Sequence, residues 1–181
     1  MRNKVALMMT AAAVLCAATS AQAGVKETTI YSFTGGNDGS FPHGGVIGDG
    51  KGNYYGVTTS GGAGHSGVVF ELSAPKGGAT TWTQTTLYSF TGGSDGANPQ
   101  AALTRDAKGN LYGTTYSGGA NGEGVAFKLH KQAGIWKYSL LWSFTGGNDG
   151  GAPSGALSMD SAGNIYGTTT QGRHGCCRHR I

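Results

Sequence analysis

One phrase occurs three times along this chain and constrains its fold more than any other feature. It reads YSFTGGNDG at residues 31–39, YSFTGGSDG at residues 88–96 and WSFTGGNDG at residues 142–150. The copies begin 57 and then 54 residues apart. Self-similarity at a period of this length is typical of repeat arrays and β-propellers. The sequence therefore predicts one supersecondary unit that is used in tandem.

A second phrase, Gly-Asn-x-Tyr-Gly, keeps step with the first and predicts a hairpin turn in each copy. It is preceded by an aspartate, so that Asp and the glycine stand three places apart, at Asp49, Asp106 and Asp160. This spacing suits a type I turn that is closed by a residue with positive φ. The equivalent glycines and the tyrosines that follow them are Gly52, Gly109, Gly163, Tyr55, Tyr112 and Tyr166.

Alternating apolar residues predict four short antiparallel strands in each unit. Around Phe70 and Phe127, every second residue is apolar, and the strand that ends at Phe144 shows the clearest period of two. We expect Trp136, Tyr138, Leu140, Trp142 and Phe144 to share one face of that strand. A further strand is predicted at residues 28–33. Four strands per unit of this length indicate an all-β fold of propeller-like blades.

The predicted organisation is a leader, a run of blades and an aberrant end. Residues 1–23 resemble a signal peptide with Ala21-Gln22-Ala23 before the cleavage point. The repeats span residues 24–172, with blades at about 42–90 and 99–144 and a partial blade at 153–170. About two and a half blades cannot close a ring, because propellers usually have 4–8. Phe33, Phe90 and Phe144 mark equivalent ends of the outer strands.

Residues 173–181 depart from the pattern, which requires Gly-Val-x-Phe at this place. One synonymous coding of the last four residues, shifted by one base, reads Gly-Thr-Val-Phe. We therefore hypothesise a frameshift near Cys176 or Cys177. The alternative is that the chain is a subunit that assembles with others. The adjacent cysteines indicate no disulfide framework.

Composition excludes some classes of function. Glycine accounts for 35 of 181 residues, and aromatic residues recur in register with it, which indicates a folded, turn-rich chain. The formal charge of +4 comes from the two ends, since the leader carries Arg2 and Lys4 and the last residues carry three arginines. Between them we find no basic patch, so no nucleic-acid partner is predicted. The predicted mature chain contains no apolar stretch long enough to span a membrane.

The repeats resemble a known family. The pattern Tyr-Gly-Thr-Thr, Gly-Gly and Gly-Val-x-Phe, found at residues 112–127, is similar to that of the GloVer tandem repeat. Members of that family are bacterial exported proteins described as choice-of-anchor, because their C-terminal surface anchors vary. The resemblance implies an exported protein, attached to the cell surface, of unestablished function. It brings no catalytic residues with it, and this chain shows no such anchor.

Few residues are candidates for chemistry. Each Gly-Gly-x-Asp-Gly loop supplies one carboxylate, so that Asp38, Asp95 and Asp149 are weak calcium candidates. An Asx turn explains the same aspartates without a metal. The histidines do not recur between copies, and no phosphate loop or nucleophile elbow occurs. We therefore predict no catalytic residue and no cofactor.

The resulting hypothesis is a non-enzymatic scaffold or binding surface at the bacterial cell envelope. Its partner is unknown, with a surface glycan or a protein as candidates. Two rivals stay open: a carbohydrate-binding propeller, and a fragment of a propeller hydrolase or lyase. A third reading is that the fragment has no function, in which case it would be insoluble because it exposes apolar faces.

Overall fold

The computed structural model describes residues 26–172. The predicted signal peptide at residues 1–23 and the predicted frameshifted tail at residues 173–181, with Cys176 and Cys177, lie outside the described residues. All strands between residues 26 and 172 pair antiparallel, and this part of the chain contains no helix. It accordingly contains no helix that is long and apolar enough to cross a membrane.

Ten strands form three sheets. The first sheet has the order β1-β2-β3-β4, with β1 at Ser40–Gly48, β2 at Asn53–Ser60, β3 at Val68–Ser73 and β4 at Thr83–Ser89. The second has the order β5-β6-β7-β8, with β5 at Thr104–Arg105, β6 at Leu111–Thr115, β7 at Val125–Gln132 and β8 at Ile135–Ser143. The third pairs β9 at Ser158–Met159 with β10 at Ile165–Tyr166.

The predicted fold class is confirmed. Two successive copies each form a four-stranded antiparallel meander, and the third contributes two strands. Within residues 26–172 the sheets do not close into a ring. The described residues thus form the propeller-like blades that the repeats predict, without closing a ring.

The sheets stack face to face, and the stacking explains why the inner strands are apolar on both faces. The largest buried cluster joins Tyr55, Val57 and Val69 of the first sheet to Phe127 and Leu129 of the second. A second cluster covers the opposite face of the first sheet and contains Phe33, Val68, Phe70 and Leu72. Since Val68 and Val69 point to opposite faces and both are buried, β3 begins with the apolar run Val68, Val69 and Phe70.

The predicted strand at residues 28–33 is wrong. This segment is irregular throughout, although Phe33 and Ile30 pack on the first sheet. A strand needs a neighbour that takes up its backbone hydrogen bonds, and no strand in the described part of the chain pairs with this segment. Side-chain packing and the hydrogen bond from the Tyr31 hydroxyl to Asp38 therefore hold it without making it a strand.

The predicted common face of the last strand is also wrong after Leu140. Leu140 lies opposite Phe127, but Trp142 lies opposite Ala126, which points to the other side of the sheet. The register shift between Ala126 and Phe127 marks a β-bulge at Leu141. Because the bulge inserts one residue, it reverses the side on which the following residues point. An equivalent shift opposite Val69 and Phe70 occurs in the first sheet.

Candidate functional site

Each of the three repeated loops is held by its own aspartate. The Asp38 carboxylate accepts hydrogen bonds from the Thr34 amide at 2.8 Å, the Thr34 hydroxyl at 2.6 Å and the Tyr31 hydroxyl at 3.0 Å. The Thr34 hydroxyl oxygen in turn accepts a bond from the Gly36 amide at 3.3 Å. Both carboxylate oxygens are therefore engaged within one short loop. We call this arrangement the aspartate bracket.

The bracket recurs in the other two copies. Asp95 accepts from the Thr91 amide at 2.9 Å, the Thr91 hydroxyl at 2.6 Å and the Tyr88 hydroxyl at 2.9 Å. Asp149 accepts from the Thr145 amide at 3.0 Å and also from the Thr145 hydroxyl. In this copy the aromatic donor is the indole N–H of Trp142, at 3.1 Å. One loop geometry thus accepts either a phenol or an indole as its third donor.

The brackets keep their carboxylates ionised. Burial raises the pKa of Asp38, Asp95 and Asp149, but the hydrogen bonds from the loop threonines and aromatic residues outweigh it, so that all three pKa values lie below the ordinary value. A carboxylate that accepts several donors is stabilised in its charged form. The brackets are therefore strongest at neutral pH and weaken in acid.

The calcium assignment of these aspartates stays a prediction. Calcium binds six to eight oxygens, usually with several carboxylates close together. Within residues 26–172, no group of three or more His, Cys, Asp or Glu side chains is placed to hold a metal ion. The oxygens of each bracket already serve three donors of the same loop, which favours a structural use of the aspartates.

The hairpin aspartates also close their own turns. Asp106 accepts from the Asn110 amide at 2.8 Å, the Asn110 side chain at 2.7 Å and the Tyr112 hydroxyl at 3.2 Å. The Gly109 amide bonds the Asp106 carbonyl at 3.0 Å, as a type I turn requires. Asp160 is bonded in the same way, and the hydrogen bond from the Asn164 side chain is the main reason why the pKa of Asp160 falls to about 2.

The repeated phenylalanines lie in like surroundings, at the end of one unit and against the next. Phe33 meets Phe70 edge to face at 4.9 Å between ring centroids, and Phe90 meets Phe127 in the same manner at 5.2 Å. Phe144 is likewise buried. Edge-to-face contacts of this kind add to the apolar burial. Phe33 and Phe90 therefore pack against the inner strand of the unit that follows each of them.

The repeated tyrosines do not share one environment. Tyr55 is buried against Trp136, with ring centroids 6.2 Å apart, and its burial raises its pKa to about 12, with Glu71 adding to the effect. Tyr112 is buried beneath the ammonium group of Lys128, which lies 5.5 Å from the ring centroid. Tyr166 is exposed. The turn glycines Gly52, Gly109 and Gly163 all have positive φ, at 91°, 86° and 84°.

The sequence did not predict a set of contacts that joins adjacent sheets, which we call the joint. The Asn98 amide donates to the Ser66 carbonyl at 2.9 Å, and the Asn98 side chain donates to the Thr59 carbonyl at 2.9 Å. A Cβ atom on Gly67 would lie 2.7 Å from Cδ of Pro99, so that only glycine fits there. At this joint the residue before proline holds the next unit against the loop of the preceding one.

The same joint links the second and third sheets. The Ala152 amide donates to the Glu123 carbonyl at 2.8 Å, and a Cβ atom on Gly124 would lie 2.9 Å from Cδ of Pro153. Asn98 and Ala152 have φ values of 54° and 49°, which are uncommon for residues other than glycine. Their counterpart Phe41 has φ of 53° and is 63% exposed. The signal in the sequence was a proline three residues after the glycine of each Asp-Gly pair.

A histidine of β1 also links the first unit to the second by a hydrogen bond. Nδ1 of His43 lies 2.7 Å from the Gln100 carbonyl oxygen, which requires a proton on that nitrogen. His65 is exposed in a glycine loop. The two histidines belong to different parts of the repeat and do not form a cluster with a carboxylate.

Two grooves lie between units. One, of about 460 Å³, runs between the irregular segment at residues 28–32 and residues 80–82. The other, of about 550 Å³, lies between the hairpin turns of the second and third sheets and is lined by Lys108, Tyr112, Lys128, Met159 and Asp160, among others. Since the aspartates of the second groove are engaged in their turns, Lys108, Lys128 and Ser161 are polar groups of its lining that can meet a ligand.

The repeat pattern has a counterpart among protein-family models. The model described as the Gloeobacter/Verrucomicrobia repeat matches residues 14–177, which is most of the chain. A search of curated proteins found no match.

Proposed function

The chain belongs to the Gloeobacter/Verrucomicrobia repeat family. From this premise we propose that it is an exported, non-enzymatic repeat protein that acts as a scaffold or binding surface at the bacterial cell envelope. The chain would display side chains on stacked sheets without transforming its ligand. The resemblance of the repeats to exported GloVer proteins supports the location.

One observation carries the scaffold role: the copies share their joints but differ at their surface. The aspartate brackets repeat with the same threonine donors, and the proline joints repeat with the same backbone donor and acceptor positions. By contrast, the position that follows each joint proline holds His43, Gln100 or Ser154. On the outer part of β3 and β7, Glu71 is replaced by Lys128. A rigid frame with variable surface residues suits recognition, because loops and edges can change without loss of the core.

The location is tested by export of the full chain from a bacterial host. We expect a tagged chain to be recovered outside the cytoplasm with Gly24 at its N-terminus. The variant A23D should accumulate uncleaved, because the residue before the cleavage site must be small. The same change at Gln22 is the matched control and should be tolerated. Recovery of the unmodified N-terminus in the cytoplasm would contradict the proposal.

Carbohydrate binding is the second candidate. The groove between the second and third sheets favours it, since this groove combines an aromatic ring with Lys108 and Lys128. A glycan array tests whether this groove binds carbohydrate or whether the chain serves as a scaffold for a protein partner. Binding that is lost in a K108A/K128A variant would assign the ligand class, and an array without signal would leave the scaffold role with a protein partner.

A further inference from the structure

The outer strand of the second sheet exposes an unusual amount of apolar surface. Ile135 is 62% exposed, Leu140 47% and Trp142 40%, and all three lie on β8. Across residues 26–172, β8 pairs with β7 alone, so that its other edge presents backbone N–H and C=O groups. A long edge strand with exposed apolar residues is a template for pairing with another chain.

The first sheet shows that the fold does not need these side chains. Its outer strand β4 is equivalent to β8, since Thr86 lies opposite Phe70 as Leu140 lies opposite Phe127. Counted from this pair, the residues Ile135, Lys137 and Leu140 of the second unit correspond to Thr81, Thr83 and Thr86 of the first. Thr83 and Thr86 lie on β4 and Thr81 lies just before it, so the first sheet forms with threonine at all three positions. The apolar and basic residues are particular to β8.

The surroundings of β8 are basic. Residues 125–143 carry three lysines and one histidine and no acidic residue. Lys131 lies over the Trp136 ring at 4.8 Å, which holds its charge near the turn end of the hairpin. Acidic residues meet the strand elsewhere: Asp149 accepts from the Trp142 ring, and the Asp95 backbone carbonyl accepts from the Tyr138 hydroxyl.

The regular part of the edge suits a short extended segment. It comprises residues 135–140, which end at the bulge at Leu141 and span roughly 20 Å at about 3.3 Å per residue. Within this part Leu140 stands on the face of Phe127, whereas Ile135 lies opposite Gln132 and stands on the other face. Apolar side chains therefore flank the edge on both faces, where they can contact alternate side chains of an added strand.

We propose that the outer edge of β8 binds an acidic peptide segment in extended conformation, which adds a fifth strand to the second sheet. This inference rests on the proposed role as a binding scaffold and names its surface and its partner. Main-chain hydrogen bonds along residues 135–140 supply pairing, as in other cases of strand addition. Ile135 and Leu140 contact apolar side chains of the segment, while Lys137 and Lys131 attract its carboxylates.

Two other occupants fit the edge less well. A second copy that pairs β8 with β8 would bring two basic hairpins together, and like charges across a strand pair are destabilising. An anionic membrane would meet the lysines and the tryptophan, but lipid offers no partner for the backbone groups of an open edge. An acidic peptide satisfies both the charge and the backbone.

The experiment measures binding of labelled peptides to the full chain by fluorescence anisotropy. The probe is an eight-residue peptide of alternating Glu and Val, and the matched peptide has Lys in place of Glu. A third peptide carries N-methyl groups on alternate amides of the Glu-Val sequence, which blocks strand pairing. We expect the Lys peptide and the N-methylated peptide to bind at least about tenfold more weakly than the Glu-Val peptide, as ion pairing and strand pairing both contribute.

The protein variant copies β4 onto β8: I135T/K137T/L140T. It should keep its circular dichroism spectrum and lose at least about tenfold in affinity for the Glu-Val peptide. The matched control T81S/T83S/T86S in the first unit, with Thr83 and Thr86 on β4 and Thr81 just before it, should bind like the unmodified chain. Equal binding by the β8 variant or by the N-methylated peptide would overturn the proposal, as would failure of the Glu-Val peptide to bind.

Two further results would assign the edge to another occupant and thereby also overturn the proposal. One is binding to phosphatidylserine vesicles that the β8 variant loses, without binding of the peptide. The other is a concentration-dependent dimer that the β8 variant abolishes. Export of the chain is scored separately. An exported chain that does not bind the peptide would contradict only the edge proposal. A chain that binds the peptide but stays in the cytoplasm would contradict only the envelope role.

Discussion

The joint between sheets makes a quantitative prediction at Gly67. The residue has φ of +99°, and a Cβ atom there would lie 2.7 Å from Cδ of Pro99 and would also overlap the Thr58 carbonyl oxygen. The substitution G67A therefore imposes two costs. Positive φ costs an alanine about 1–2 kcal/mol. Overpacking against a proline and a backbone carbonyl costs a further ~1–3 kcal/mol.

The control isolates the steric part of this cost. Gly134, in the β7–β8 turn, also has positive φ, at +81°, but a Cβ atom there would meet nothing within 4 Å. We expect G134A to lose only the backbone contribution of about 1–2 kcal/mol. G67A should lose ~2–5 kcal/mol in total, from backbone strain and overpacking together. G124A, at the second joint, should behave like G67A, because its Cβ atom would lie 2.9 Å from Cδ of Pro153.

The assay is urea unfolding of the full chain, followed by tryptophan fluorescence. Trp136 packs against the joined sheets and reports on their separation. The free energy of unfolding is compared between the unmodified chain and the variants at equal m-value. If G67A and G134A lost the same free energy within about 0.5 kcal/mol, the contact between Gly67 and Pro99 would not be what holds the sheets together.

Three further predictions follow from the core and the brackets. F90A should lose about 3–5 kcal/mol of unfolding free energy, because Phe90 is fully buried between sheets. Y166A, at an exposed position, should lose less than ~0.5 kcal/mol. A similar loss for both variants in urea unfolding would contradict the stacking of the sheets. Because the pKa of Asp95 is lowered in the folded chain, its bracket contributes fully to stability above the unfolded pKa of about 3.9 and contributes less as pH falls through the folded value. D95N should therefore show a smaller loss of thermal stability between neutral and acid pH than the unmodified chain. An unchanged acid dependence in D95N would show that the bracket does not stabilise the fold. The unfolding midpoint should be the same in calcium as in EDTA, because loop donors occupy the bracket oxygens. A higher midpoint in calcium would support the assignment of these aspartates as calcium ligands.

The sequence was informative wherever the signal is local. The Asp-to-Gly spacing predicts the hairpin turns, since a turn depends on the backbone preferences of a few adjacent residues, and Asp106 and Gly109 form one. The alternation of apolar residues around Phe127 predicts a strand for the same reason. Both signals repeat at a fixed period, and so the order of strands in the meander follows from them.

The sites that join units were not visible in the same way. Asn98 and Ala152 differ in chemistry, yet both take the same positive φ and donate to the preceding unit through the backbone. A backbone hydrogen bond does not depend on the side chain, and so it leaves only an indirect trace in the sequence, the proline that follows. The exposed edge of β8 was likewise hidden, because a period of two describes the faces of a strand and not whether another strand covers its edge.

By itself, therefore, the sequence determined the repeat, the turns and the all-β meander, because these follow from contacts between residues close in the chain. Tertiary structure decided the rest. It left residues 28–33 irregular for want of a pairing strand, and the bulge at Leu141 turned Trp142 to the face opposite Leu140. Each of these outcomes depends on which backbone groups find partners in a distant part of the chain, and local preferences carry no record of that.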